Sequence, residues 1–172
     1  CSIQNNSLPL QKYFNYLLII CFIIFTNVSA QTKTSGSSFF TTDLNLNNGK
    51  KVKITDLKGK VIVLDFWYRG CFPCLKATPD LMKLQEEFKN DLVIIGINDR
   101  DNKEDVTDYY SYKKNTFYVS TYKTSNHISN SLKITAFPTF IIIDQKGDLV
   151  KTEVGFDKSS IRKTIKNLIK NN

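Results

Sequence analysis

The residue pattern predicts an α/β domain: a mixed central sheet with helices on both faces, led by an N-terminal β-hairpin. Three observations carry this. Two apolar runs, 61–67 and 92–97, bracket a segment whose apolar residues recur at helical spacing, a β-α-β unit with parallel strands. Two further runs, 140–144 and 149–154, are joined by a turn and followed by a second amphipathic segment, a β-β-α unit. Ahead of both, Asn47-Asn48-Gly49 separates two strand-like stretches as a hairpin turn does.

In chain order, residues 1–30 read as a signal peptide or membrane anchor. Lys12 precedes the apolar stretch 16–25, and Val28-Ser29-Ala30 supplies a small-residue cleavage pattern with Gln31 next. The stretch is short for a spanning helix, which needs about 20 residues, yet no charge falls between Lys12 and Lys33, so an uncleaved anchor stays open. Because the chain opens on Cys1 rather than Met, its natural start is expected to lie elsewhere. Residues 31–38 are small and polar, a flexible spacer, and 39–172 form the domain.

Within the domain, 39–46 and 51–54 form the leading hairpin, with Val52 and Ile54 alternating with lysines. Leu57-Lys58-Gly59-Lys60 turns into the strand 61–67, apolar enough to lie mid-sheet with both faces covered. A helix follows over 71–88. Ala77, Leu81, Leu84 and Phe88 form its apolar stripe, Lys76, Lys83 and Gln85-Glu86-Glu87 take the other side, and Pro79 should kink it. After the strand 92–97, residues 103–115 suit an exposed helix with tyrosines on one side, 117–119 a short strand and 128–132 a short helix. Strands 140–144 and 149–154 flank the turn Gln145-Lys146-Gly147-Asp148. Asp157 caps a last helix with Ile161, Ile165, Leu168 and Ile169 inward and lysines outward.

Composition narrows the function classes. The formal net charge is +8, but the excess is lysine scattered along the chain rather than clustered with aromatics, which argues against a nucleic-acid footprint. Of four cysteines, Cys1 and Cys21 lie in the leader, leaving Cys71 and Cys74 as the one pair in the domain, too few for a disulfide-stapled scaffold.

Cys71-Phe72-Pro73-Cys74 follows a strand and opens a helix. There, unpaired backbone N–H groups and the helix dipole favour a thiolate, the reactive form. Cys71, exposed at the helix start, reads as a nucleophile on a substrate disulfide, and Cys74, one turn inside, as the resolving thiol. Pro73 suits the first helical turn, where its missing N–H costs nothing. The alternatives are a structural disulfide or half a zinc site, for which only His127 in the domain could add a nitrogen. Haem attachment fails because Leu75, not His, follows Cys74. Asp65, a carboxylate inside an apolar run, is costly to bury ionised, so desolvation would raise its pKa and make it a proton acceptor. A solvated Asp at a frayed strand end is the competing reading. His127 reads as a surface residue, and Arg69 as either a contributor of positive potential near Cys71 or a solvent-facing loop residue.

Asp65-Phe66-Trp67, Cys71-Phe72-Pro73-Cys74, Phe137-Pro138-Thr139 and Val154-Gly155 occur in this order. Together they resemble the thioredoxin superfamily over 39–172. The leading hairpin, the Gly59-Lys60 approach and the helix near 103–115 are similar to the exported, TlpA/ResA-like thioredoxin-like reductases that serve cytochrome c maturation. The resemblance implies a thioredoxin-like fold, Asp65 beneath the dithiol assisting deprotonation of Cys74, and a cis Pro138 whose neighbour Phe137 faces substrate beside Cys71. A trans Pro138 opening an edge strand is the alternative. Trp67, Phe72, Pro73 and Gly155 would join Phe137 and Pro138 along the substrate groove. No cofactor beyond the Cys71–Cys74 disulfide is implied. Partners would be protein disulfides, apocytochrome c among them, and a membrane thiol electron donor, the protein itself being a monomer. Three departures stand out: Gly70 where the family has Trp, Phe-Pro between the cysteines where Gly-Pro is commoner, and Phe137 where a smaller residue is usual. Gly70 removes a flat contact and should widen access to Cys71.

The expected activity is thiol–disulfide exchange, in the reducing direction. A disulfide-forming oxidase or isomerase is the enzyme alternative. A peroxidase lacks its Pro and Thr upstream of the cysteine in 63–70. A metal-binding module has one Met and one His to work with, and a non-catalytic binding domain on the same fold completes the set.

Overall fold

The computed structural model describes residues 41–112, 119–124 and 128–171. The leader and spacer, the start of the leading strand, Phe117, Tyr118 and His127 lie outside them. Strand β3 (Val61–Phe66) is the centre, buried along its whole length. It pairs in parallel with β4 (Leu92–Ile97) and antiparallel with β6 (Thr139–Ile143), so that Asp65 lies in register with Gly96 on one side and Phe140 on the other. The full order is β5-β4-β3-β6-β7, with β5 (Val119–Ser120) parallel to β4 and β7 (Leu149–Val154) antiparallel to β6 at the far edge.

Side-chain alternation along β3 builds two cores. Val61, Val63 and Trp67 face helix α1 (Phe72–Glu87), α2 (Lys103–Tyr112) and α4 (Lys158–Lys170), and pack with Leu81, Leu84, Val106, Tyr110, Ile161 and Ile165. Ile62, Leu64 and Phe66 face the other way, against Leu44, Leu46 and Ile54 and against Ile128 of the short helix α3 (Ile128–Ser131). The expected mixed sheet, covered on both faces and led by a hairpin, is what forms.

The hairpin is shorter than its pattern suggests: among the described residues, two residues of β1 (Leu44–Asn45) pair with two of β2 (Lys51–Val52). The Lys53 amide bonds to the Asp56 carboxylate at 3.3 Å, and Ile54–Leu57 winds into a 3-10 turn that buries Ile54. The hairpin docks on the outer edge of β5. The Asn47 amide donates to the Ser120 carbonyl at 2.8 Å, and the Ser120 amide donates to the Asn47 side chain at 3.1 Å.

Two helices differ from expectation. Gln85, placed by its spacing on the solvent side of α1, is buried. Its amide nitrogen donates to the Leu92 carbonyl at 2.7 Å and its oxygen accepts from the Ile94 amide at 2.6 Å. Those groups of β4 lie beyond the two residues that β5 covers, and unpaired buried backbone groups are costly. Helix α2 is not an exposed helix: Val106 and Tyr110 are buried on the sheet. Helix α1 runs through Pro79 to Glu87, and α4 starts where the Asp157 carboxylate accepts from the Ser159 and Ser160 amides. Lys158 and Arg162 of α4 pair with Asp80 and Glu87 of α1.

Candidate active site

The chain leaves β3 through a turn closed by the Cys71 amide donating to the Tyr68 carbonyl at 3.0 Å. Cys71 then takes the N-cap position of α1, with Pro73 in the first turn. Its sulfur accepts from the Cys74 amide at 3.3 Å, the contact a cap oxygen would make, and its carbonyl accepts from the Leu75 amide at 3.0 Å. The two sulfurs are joined in a disulfide with the Cα atoms 5.3 Å apart. On reduction, the Cys71 sulfur lies where helix N–H groups favour the thiolate.

Cys71 is not exposed in this oxidised form: it is 4% accessible, against 1% for Cys74. The absent side chain at Gly70 does not widen access, because the Tyr68 ring takes its space. A Cβ on Gly70 would sit 2.9 Å from the Tyr68 Cε2.

By strand alternation Asp65 belongs to the β3 face that carries Val61 and Val63, and it is 1% accessible. It is a mid-sheet acid with paired strands on both sides, not a solvated strand end. The Phe137–Pro138 peptide is cis, and the Gly155 amide donates to the Pro138 carbonyl at 2.9 Å. Gly155 does so at φ 82°, a conformation that side chains disfavour, which gives the glycine its reason. The half-buried Phe137 ring meets Tyr68 edge-on, centroids 5.4 Å apart, and both pack on the cluster that holds Cys71 and Cys74. Phe72 stands out from the surface at 66% accessible, with the Lys76 ammonium 4.8 Å from its ring centre.

A family model described as Redoxin matches residues 30–169. This chain belongs to the Redoxin family. It is similar to the thiol-disulfide oxidoreductase ResA of Bacillus subtilis, 29% identical over 161 residues that cover 90% of this chain and 89% of that protein. Among solved structures it is similar to the exposed lipoprotein thioredoxin Etrx1 of Streptococcus pneumoniae, at 28% identity and a TM-score of 0.65, covering 74% of this chain and 98% of the other. The thioredoxin domain of a thiol-disulfide oxidoreductase from Bacteroides vulgatus matches at 27% identity and a TM-score of 0.63, covering 72% and 92%. The fold is thioredoxin-like, and this redoxin is a thiol–disulfide oxidoreductase that carries a Cys71–Cys74 disulfide at the start of α1. Among the described residues, no group of His, Cys, Asp and Glu converges to hold a metal ion.

One residue of this redoxin sits differently from its sequence reading. Trp67 does not line an open groove. It is buried, its indole N–H donates to the Ser120 hydroxyl at 2.9 Å, and its ring packs against Tyr109 and Tyr110 at 5.0 and 5.5 Å. Of the two readings of Arg69, the solvent-facing loop residue is the one seen: its side chain is exposed and its guanidinium pairs with Asp105.

Tyr109 is a site neighbour that its helix pattern hid. Its hydroxyl donates to the Thr78 hydroxyl at 3.1 Å, and Thr78 donates to the Cys74 carbonyl at 3.2 Å. Burial pushes the Tyr109 phenol above its ordinary range, the bond to Thr78 works against this, and the Asp65 charge adds to the rise. Helix α2 therefore brings a neutral phenol into the electrostatic reach of the buried acid.

Proposed function

We propose that this redoxin reduces disulfides of protein substrates outside the cytosol. The observation that carries the direction is Asp65, buried on the sheet face against which Cys74 packs. The Cys71 thiolate attacks one sulfur of a substrate disulfide, a mixed disulfide forms, and the other substrate sulfur leaves as a thiolate. Cys74 then attacks the Cys71 sulfur. The Cys71–Cys74 bond forms, the mixed disulfide breaks, and the substrate departs with two electrons gained.

The second attack needs Cys74 as thiolate, yet it is the more enclosed sulfur. A nearby acceptor for its proton is what Asp65 supplies. A carboxylate removed from water is costly as an ion, so taking that proton lowers its own burial cost. Phe137 and Pro138 hold the extended substrate segment beside Cys71, with Phe72 and Pro73 on the helix side.

Each turnover consumes two electrons, so a thiol donor must restore the dithiol, and outside the cytosol that donor is a membrane protein. Export is supported by the apolar leader with its small-residue motif and by the likeness to an exposed lipoprotein. Within the resemblance to reductases of cytochrome c maturation, apocytochrome c, with haem-attachment thiols that must stay reduced, is the substrate candidate.

The reduction potential tests the direction. Equilibrated in glutathione or dithiothreitol redox buffers, the Cys71–Cys74 couple should fall nearer the thioredoxin value of about −270 mV than the value of about −120 mV of a disulfide-forming oxidase. A potential near the oxidising end would replace the reductase reading by the oxidase one.

A further inference from the structure

Arg100 lies in the loop after β4, far in sequence from the dithiol, yet its guanidinium carbon sits 4.4 Å from the centre of the Tyr68 ring and 4.5 Å from that of Phe137. Those two rings meet each other and pack on the cluster that holds Cys71 and Cys74; the Tyr68 carbonyl holds the Cys71 amide, and Phe137 precedes the cis Pro138. Hydrogen bonds set the path of the loop at this point. Buried Asn98 accepts from the Arg100 amide at 3.0 Å and the Asp101 amide at 2.9 Å, and is itself tied to Thr121.

Among the described residues no carboxylate forms an ion pair with Arg100. The two nearest acids in sequence are engaged elsewhere: Asp99 accepts from the Ser129 amide at 2.9 Å, and Asp101 from the Arg69 amide and the Asn98 side chain, each at 2.7 Å. The aromatic faces attract the cation without accepting its N–H groups as a carboxylate would, and Arg100 is exposed. Across the site, Lys76 over Phe72 carries the same sign.

We infer that Arg100 selects substrates: it receives a carboxylate from an Asp or Glu next to the disulfide cysteine under attack, and it disfavours a basic residue there. A guanidinium pre-oriented on aromatic rings donates in a fork that matches a carboxylate. This rests on Cys71 attacking substrate from beside Tyr68 and Phe137, as proposed above.

The test is a single-turnover one, in which pre-reduced protein supplies both electrons. Three synthetic peptide disulfides, identical except for Glu, Gln or Lys flanking each cysteine, are mixed with it, and second-order rate constants are compared. The wild type should favour Glu over Gln about fivefold, as an exposed charge pair allows, and Lys should be slowest. Added salt should shrink the preference. In Arg100→Gln the Glu-to-Gln ratio should fall towards one, and in Arg100→Glu the order of Glu and Lys should reverse. Ratios within one variant cancel any general loss of activity. Equal rates for all three peptides with the wild type, or an unchanged ratio in Arg100→Gln, would overturn the inference. Oxidation of Cys71→Ser by these peptides at the wild-type rate would instead sink the catalytic reading on which it stands.

Discussion

The Trp67 indole and the Ser120 hydroxyl meet at 2.9 Å directly over Gly96, where a side chain cannot fit. A Cβ there would lie 2.7 Å from both the indole nitrogen and the hydroxyl oxygen. Gly96 is the register partner of Asp65, so one glycine sets both the path of the strand beside the buried acid and the seat of the tryptophan.

Gly96→Ala should therefore destabilise the domain by about 1–3 kcal/mol, the usual cost of forcing atoms into a packed core. Ser120→Ala leaves the indole N–H without its acceptor, which should cost about 1–3 kcal/mol. Urea unfolding checks both, as a lowered midpoint with an unchanged slope. The two losses should combine to less than their sum, since both act on one contact.

Asp65→Asn keeps the shape and removes the proton acceptor. The first step, attack by Cys71, should proceed at close to the parent rate. Release of substrate should slow on the order of a hundredfold, the scale of a lost general base. Acid-quenched time courses read this as transient build-up of the mixed disulfide, absent from the parent. A variant that releases substrate as fast as the parent would remove Asp65 from the mechanism.

The contacts between α1 and α4 predict an acid-side effect. Hydrogen bonding from Lys158 holds Asp80 below its ordinary value of 3.8, and hydrogen bonding from Arg162 holds Glu87 below 4.5. A carboxylate lowered in the folded state gives stability that is fully present above the unfolded value and is lost as pH falls through the lowered folded one. Asp80→Asn/Glu87→Gln should melt slightly below the parent at pH 7. The gap should close as pH drops past both ordinary values. A gap that persists in acid would assign the effect to packing. These are exposed pairs, so it should be small at any pH.

What the sequence disclosed follows from the range of the interactions involved. Continuous apolar runs placed β3, β4 and β6, the turn after β6 placed β7, and helical periodicity placed α1 and α4. The Cys71–Cys74 pair was legible because it lies within four residues, and the cis Pro138 through the resemblance that the motifs carry. Asp65 stood out as a charge in an apolar run. The residues that were not legible depend on partners distant in the chain. Gln85 looked solvent-facing until the uncovered edge of β4 gave it a reason to turn inward. Trp67 finds Ser120 across 53 positions, and Tyr109 finds Thr78 across 31. Arg100 was one basic residue among many until the fold set it on Tyr68 and Phe137. The burial of Cys71 was likewise hidden, since glycine at 70 suggested an opening that the neighbouring tyrosine ring fills.

The central claim is that Cys71 and Cys74 act in sequence on a partner's disulfide, and intact-mass analysis of Cys74→Ser tests it most directly. Reduced Cys74→Ser protein, mixed with a peptide disulfide and quenched in acid, should carry one peptide in a stable mixed disulfide that maps to Cys71. The parent under the same conditions should carry none, and should instead have lost two hydrogens with Cys71 joined to Cys74. A variant that accumulates no adduct, or one whose adduct maps away from Cys71, would contradict the account.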